Sequence, residues 1–395
     1  MRIKARNNHK DTSPPSFLGV LIFFSLSGAL LLALMLLRAA AFKNPSLADA
    51  YTRSVFRPLA AVWTRFQGLL PFSLTEFLLI LGSPALLILL ILALIRLIRR
   101  PHYRLRRLLK KSLSLLAIAG LLLSLFLVFH GINYARSPLA QDLSLSVRQR
   151  PVHELEEAVR LLAKAASQTR EEVDESEEGL ADPGSLAHMW ETAYVGWDLA
   201  AVRWPALASS VRARPKGVLL SHYWSYTNIV GLYMPLLVEP NVNIDQPAFM
   251  IPMTAAHEIA HAQGFAREGD ADFAALLSCL SHPDPAWRYS GLMGAWKSAG
   301  NRLLQEDPDL WRQIWQEELS PAVKRDLAAE SAYWEAFQTP VADLSDKVND
   351  TYLKANKEEE GVKSYGQVVD LLLAFLEDPG AADLFFSNPP ADQAG

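Results

Sequence analysis

The sequence predicts a mainly α protein in which three transmembrane helices precede an α+β domain with a small sheet. Three observations carry that expectation: long apolar runs confined to the first third, a charge division at the end of that third, and a short histidine motif far downstream. Residues 1–131 hold seventeen Lys/Arg against three Asp/Glu; with a net charge of -4 for 395 residues, the remainder carries -18. A basic segment built around apolar runs points to anionic lipid headgroups rather than nucleic acid. Cys279 is the only cysteine, which excludes a disulfide framework or a thiolate metal cage within the chain.

The first span is expected at 17–37, uncharged throughout and longer than the apolar core of a signal peptide. A second follows at 77–95, where Gly82 and Pro84 are tolerable because neighbouring helices can satisfy the freed backbone groups. A third covers 112–129. Between the second and third lie Arg96, Arg99, Arg100, Arg104, Arg106, Arg107, Lys110 and Lys111, which the positive-inside rule assigns to the cytoplasm together with Arg2, Lys4, Arg6 and Lys10. Lys43, Arg53, Arg57 and Arg65, in the loop from Ala39 to Phe72, oppose that orientation but are outnumbered. The expected layout is a multi-pass membrane domain over 1–131, an outer domain over 132–386 and a disordered tail over 387–395.

In the outer domain, Leu155, Val159, Leu162 and Ala166 recur at helical spacing from Val152 to about Gln168, followed by an acidic, solvated stretch from Glu171 to Glu178. Leu186 to Val202 reads as one helix with Trp190, Tyr194 and Trp197 on its packed face. Val218-Leu219-Leu220, Ile229 to Tyr233 and Leu236-Leu237-Val238 read as strands, and Glu239-Pro240-Asn241 as a tight turn. The run ending Val242-Asn243-Ile244 stands where an edge strand could pair with an extended substrate, and reads equally as part of an ordinary core hairpin. Beyond Asn301, Trp311, Trp315, Leu319 and Val323 predict packed helices.

The motif is His257-Glu258-Ile259-Ala260-His261. Two imidazoles four residues apart share one helix face and can grip one Zn2+, with the glutamate beside the open coordination position as general base. Pro252 suits the start of this helix, Thr254 its first turn, and Gly264 a left-handed end. A third ligand is expected from the acids that follow. Glu268 and Asp272 share a face, so one can bind metal while the other holds a histidine; Asp270 points elsewhere and is the second choice of ligand. Tyr226, Tyr233, His222, His282 and Tyr289 are candidate donors to an oxyanion.

The Glu268, Ala271, Asp272 pattern resembles the third-ligand helix of gluzincin peptidases such as the membrane-bound CaaX-processing metalloproteases. That resemblance implies Glu268 as ligand and Asp272 as its support, in a zincin-like domain. Gly131-Ile132-Asn133-Tyr134, Glu239-Pro240-Asn241-Val242-Asn243, His257 to Gly264, Arg288-Tyr289-Ser290-Gly291, Asn349 to Lys354 and Ser364-Tyr365 together resemble the bacterial domain-of-unknown-function family numbered 3810. It implies a multi-pass protein of the bacterial cytoplasmic membrane with an extracytoplasmic HExxH domain, and a site of His257, Glu258, His261 and Glu268, with Asp270 a shortened acid. The expected function is a membrane-anchored zinc metallopeptidase acting on peptide or protein substrates with Glu258 as base. Its rival is a non-catalytic module with a structural zinc; intramembrane proteolysis ranks below both, because 251–280 is too polar for lipid.

Overall fold

The computed structural model describes residues 17–99, 104–358, 361 and 366–387. Arg2, Lys4, Arg6, Lys10, Arg100, the Ser364-Tyr365 pair and the expected tail from 388 onward lie outside them.

Among these residues, three helices are long and apolar enough to cross a membrane: Leu18–Lys43, Leu74–Arg96 and Leu105–Ala135. Their flanks of Leu and Ile, such as Leu32, Leu86 and Leu89, are more than half exposed, an apolar surface that suits lipid contact. The first and third spans approach closely because small residues meet: Ser27 Oγ donates to Ala117 O at 2.7 Å beside Gly120. In the second span a π turn, Leu78–Gly82, precedes Pro84, whose ring and missing N–H do not fit a regular turn.

The expected outer loop between the first two spans is helical instead, over Pro45–Tyr51 and Arg57–Gly68 with a π turn between them. Phe56 and Ala60 are buried with Val211, Ala213, Tyr233, Val238 and Ala262 of the downstream part. Arg57 donates to Gln263 O at 3.2 Å and Ala208 O at 2.7 Å. The guanidinium satisfies main-chain carbonyls, so this cation has a structural role in the fold.

Three short strands form one sheet in the order β1-β3-β2: β1 is Lys216–Val218, β2 Gly231–Met234 and β3 Glu239–Asn243. β3 runs parallel to β1 and antiparallel to β2. Three expectations are corrected here. Glu239-Pro240-Asn241 opens a strand rather than making a turn, and Leu236-Leu237-Val238 leaves the sheet in a 3-10 turn ended by left-handed Val238. Of the two readings of the run ending at Ile244, edge strand and core hairpin, the edge strand is the one corrected: β3 is the buried central strand, and β1 and β2 are the edges. The cause is tertiary: the buried Glu239 carboxylate accepts from Leu74 N at 3.1 Å, Thr75 N at 2.8 Å, Thr75 Oγ1 at 2.7 Å and Gln67 Nε2 at 3.0 Å. Those donors pin the chain extended where local turn chemistry would bend it. Glu76, at the start of the second span, likewise accepts from Leu219 N and Leu220 N and draws them out of β1.

The helical body packs behind the sheet. The motif helix, Ile251–Ala262, lies between β2/β3 and helix Glu268–Leu280, which in turn rests on Pro285–Glu306; Val152–Arg170 covers the far side of that last helix. Trp197, Trp287, Tyr289 and Phe273 are fully buried, and burying Ile259 of the motif helix contributes about 2 kcal/mol. Leu186 to Val202 forms two helices, Leu186–Thr192 and Val195–Arg203, broken where Tyr194 turns its hydroxyl to Ala213 O at 3.2 Å. In the acidic stretch, Glu172 pairs with Arg288 and Glu175 with Arg170 and Arg325. Trp311 and Trp315 stack in the C-terminal helices beside Trp296.

Candidate metal centre

The motif helix starts with Pro252 in its first turn, where no N–H is needed, and Ser290 Oγ accepts from Met253 N at 2.9 Å. It ends at Gly264, whose φ of +98° is left-handed territory. His257 and His261 stand one turn apart on the same face, rings edge to face with centroids 4.6 Å apart. The reversal after Gly264 returns Glu268, first residue of the next helix, to that face.

Glu268 Oε2 lies 3.2 Å from His257 Nε2 and 3.5 Å from His261 Nε2, yet it is buried without a well-formed hydrogen bond to either. Ligands about 2.1 Å from one tetrahedral ion stand roughly 3.4 Å from each other, so both separations fit a shared ion. The second ring nitrogens are spoken for: His257 Nδ1 lies 2.6 Å from Asp272 Oδ1 and His261 Nδ1 lies 2.7 Å from Phe265 O. Both acceptors favour a proton on Nδ1, leaving each Nε2 lone pair aimed at the common point. Burial would raise the Glu268 carboxyl, but His261 and His257 outweigh it and hold it below the usual range. Two imidazole nitrogens and a carboxylate oxygen suit Zn2+, and among the described residues this is the one group of three so placed.

Asp270 takes no part in this group. Its carboxylate is held by Arg267 at 2.6 and 2.8 Å and by Leu139 N at 3.2 Å, in the seam between the membrane-proximal chain and the outer part. Asp272 meets His257 alone of the two rings.

Glu258 is buried beside the pair, and its Oε2 has no hydrogen-bond partner. Burial pushes its carboxyl up to about 7 against the pull of His257 and His261. The space in front of it is set by Gly231 of β2: a Cβ there would stand 2.4 Å from Glu258 Oε1 and 2.8 Å from Thr254 Cγ2. Two cavities, about 370 and 560 Å3, meet at Val230, Gly231, His257 and Glu258. The floor comes from the third span, where His130 packs edge-on against His261 with centroids 5.7 Å apart.

Of the five candidate oxyanion donors, Tyr233 alone borders these cavities, its ring 6.0 Å from that of His261. His222 pairs with Asp245 and packs on Tyr226; His282 stacks on Trp287; the Tyr289 hydroxyl donates to buried Asp326 at 2.7 Å. Sequence reasoning missed three residues that line the site: Gly231, His130 and Tyr352. The Tyr352 signal lay within the Asn349 to Lys354 string; a lone glycine or histidine carried none.

A family model described as "Protein of unknown function (DUF3810)" matches residues 51–373. The chain belongs to the DUF3810 family. The DUF3810 match takes in the second and third spans, the sheet, the motif helix and Tyr352. No curated protein and no solved structure matches the chain. Within this DUF3810 protein, Asp272→Ala should weaken metal binding by about 10- to 100-fold in a competition titration with a chromogenic chelator, because His257 loses the acceptor that fixes its tautomer.

Proposed function

We propose that this protein is a zinc-dependent metallopeptidase of the bacterial cytoplasmic membrane, with a zincin-like site on the extracytoplasmic side. One observation supports it above all: the unpartnered Glu258 carboxylate stands beside the convergence of His257, His261 and Glu268, at the junction of two cavities. A purely structural zinc is closed by four protein ligands, whereas three ligands facing a cavity are the catalytic pattern. The basic residues Arg96, Arg99, Arg104, Arg106 and Arg107 lie at the span ends away from the site, which supports a cytoplasmic location for them.

Zinc bound at this site supplies Lewis acidity to a water and to the substrate carbonyl. With a metal held by His257, His261 and Glu268, Glu258 would be placed to take a proton from an attacking water as its oxygen adds to the carbonyl carbon, and to deliver that proton to the nitrogen as the C–N bond breaks. β2 offers its open edge, where Gly231 and Tyr233 present main-chain groups on the side away from β3, to align an extended peptide. Asp272 and Phe265 O hold the two imidazoles in register.

The test is elemental analysis of the purified full chain together with hydrolysis of a mixed peptide pool. One zinc per chain is expected, lost in Glu268→Ala but kept in Asp270→Ala, with hydrolysis abolished by chelation and restored by zinc. Metal retained without Glu268, or hydrolysis indifferent to chelation, would refute the reading.

A further inference from the structure

The cleft divides at Gly231 into two arms. On one side the smaller cavity carries the Lys297–Glu330 pair and Asn301 beside Met253, Leu276 and Trp334. On the other, the larger cavity presents Phe126, Leu232, Met234, Leu236 and Val348 beside Asp346 and Asn349, and no lysine or arginine among the described residues lines it. Phe126 belongs to the third span, so this apolar arm runs from Glu258 and Glu268 to the membrane end of the molecule.

Its outer wall is helix Pro340–Ala355. Val341, Leu344, Val348 and Tyr352 recur on one face of that helix, yet Val341 is 54% exposed, Leu344 62% and Val348 62%. An apolar stripe at this spacing ordinarily marks the face packed on a core; here Ala342 and Leu353 are the helix's buried residues and the stripe is bare. The end of the helix is tied to the spans. Arg38 of the first span donates Nε to Gly131 O at 3.0 Å and Nη2 to Asn356 Oδ1 at 3.1 Å. The bare stripe therefore descends towards the apolar surfaces of the spans and borders the path from them to the site.

We infer that the site takes a peptide whose segment on one side of the scissile bond is apolar and resident in the bilayer; this rests on the peptidase reading above. That apolar half occupies the arm between β2, Phe126 and Val348, and the rest of the chain continues past Gly231 towards Lys297 and Asn301. Removing leucine or phenylalanine side chains from water favours binding in the first arm.

The experiment uses the full chain carrying Glu258→Gln, so that peptides stay intact, in phosphatidylcholine–phosphatidylglycerol vesicles with protein-free vesicles as the partition blank. Two fluorescent peptides of equal length are compared, one polar throughout and one with a Leu/Val/Phe half. The half-apolar peptide is expected to bind about tenfold tighter or better, and the double change Leu344→Asp with Val348→Asp to remove that preference. Val202→Asp, at a still more exposed apolar position that lines neither cavity, should preserve it. Equal affinity for the two peptides, or a preference that survives the double change, overturns the inference. Failure of the peptidase reading looks different: zinc-loaded native protein would leave both peptides uncut while the binding preference persisted.

Discussion

Glu258→Gln is expected to lower peptide hydrolysis by about 10³-fold or more while the protein keeps its full complement of zinc. The side chain is buried next to the histidines but stands outside the His257, His261 and Glu268 group, and the amide has nearly the same shape, so that group is undisturbed. What the amide lacks is a basic oxygen. A thousandfold loss corresponds to about 4 kcal/mol of activation free energy, within the range that a well-placed general base supplies. The measurement pairs kcat on a quenched-fluorescence peptide with elemental analysis of the same preparation. Activity retained by the variant would remove Glu258 from the mechanism, and zinc lost with it would make Glu258 a ligand.

Gly231→Ala should be nearly as damaging, for a steric reason. A methyl group 2.4 Å from Glu258 Oε1 and 2.9 Å from its Cδ cannot be accommodated unless the carboxylate rotates or β2 withdraws. Either response shifts the base or the edge that aligns substrate by a large part of an ångström, and misplacement on the order of 1 Å costs about 100-fold in rate. His257, His261 and Glu268 lie on the two helices and not on β2, so zinc content should stay at the native level. A Gly231→Ala protein with native kcat and KM would show that neither Glu258 nor the β2 edge works where the structure places it.

The parts legible in the sequence were those with local signatures. Three apolar runs announced three long helices, and Pro252, the His257 to His261 spacing and Gly264 announced a short bounded helix, because composition and i,i+4 periodicity express themselves within a few residues. The convergence of Glu268 on both imidazoles needed only the short reversal at Gly264. What could not be read depended on distant partners. Glu239-Pro240-Asn241 has turn chemistry, and only the donors at Gln67, Leu74 and Thr75 draw it into the central strand. Strand order was equally hidden: alternation shows that a segment is half-buried, not which neighbour it takes, so the run ending at Ile244 read equally as an edge strand and as a core hairpin, and only the fold makes it central. Gly231 looked like any loop glycine until Glu258 was seen against it.

His130 has a last consequence. Because the ring beneath His261 comes from a span, and Phe56 and Ala60 from the stretch between spans pack with Ala262 at the end of the motif helix, the half of the chain that carries the site is not a cargo hung from an inert tether. Cleaving the chain just after the third span would carry away the underside of the site. On the peptidase reading, a fragment beginning after the third span should therefore be inert towards peptides that the full chain cleaves.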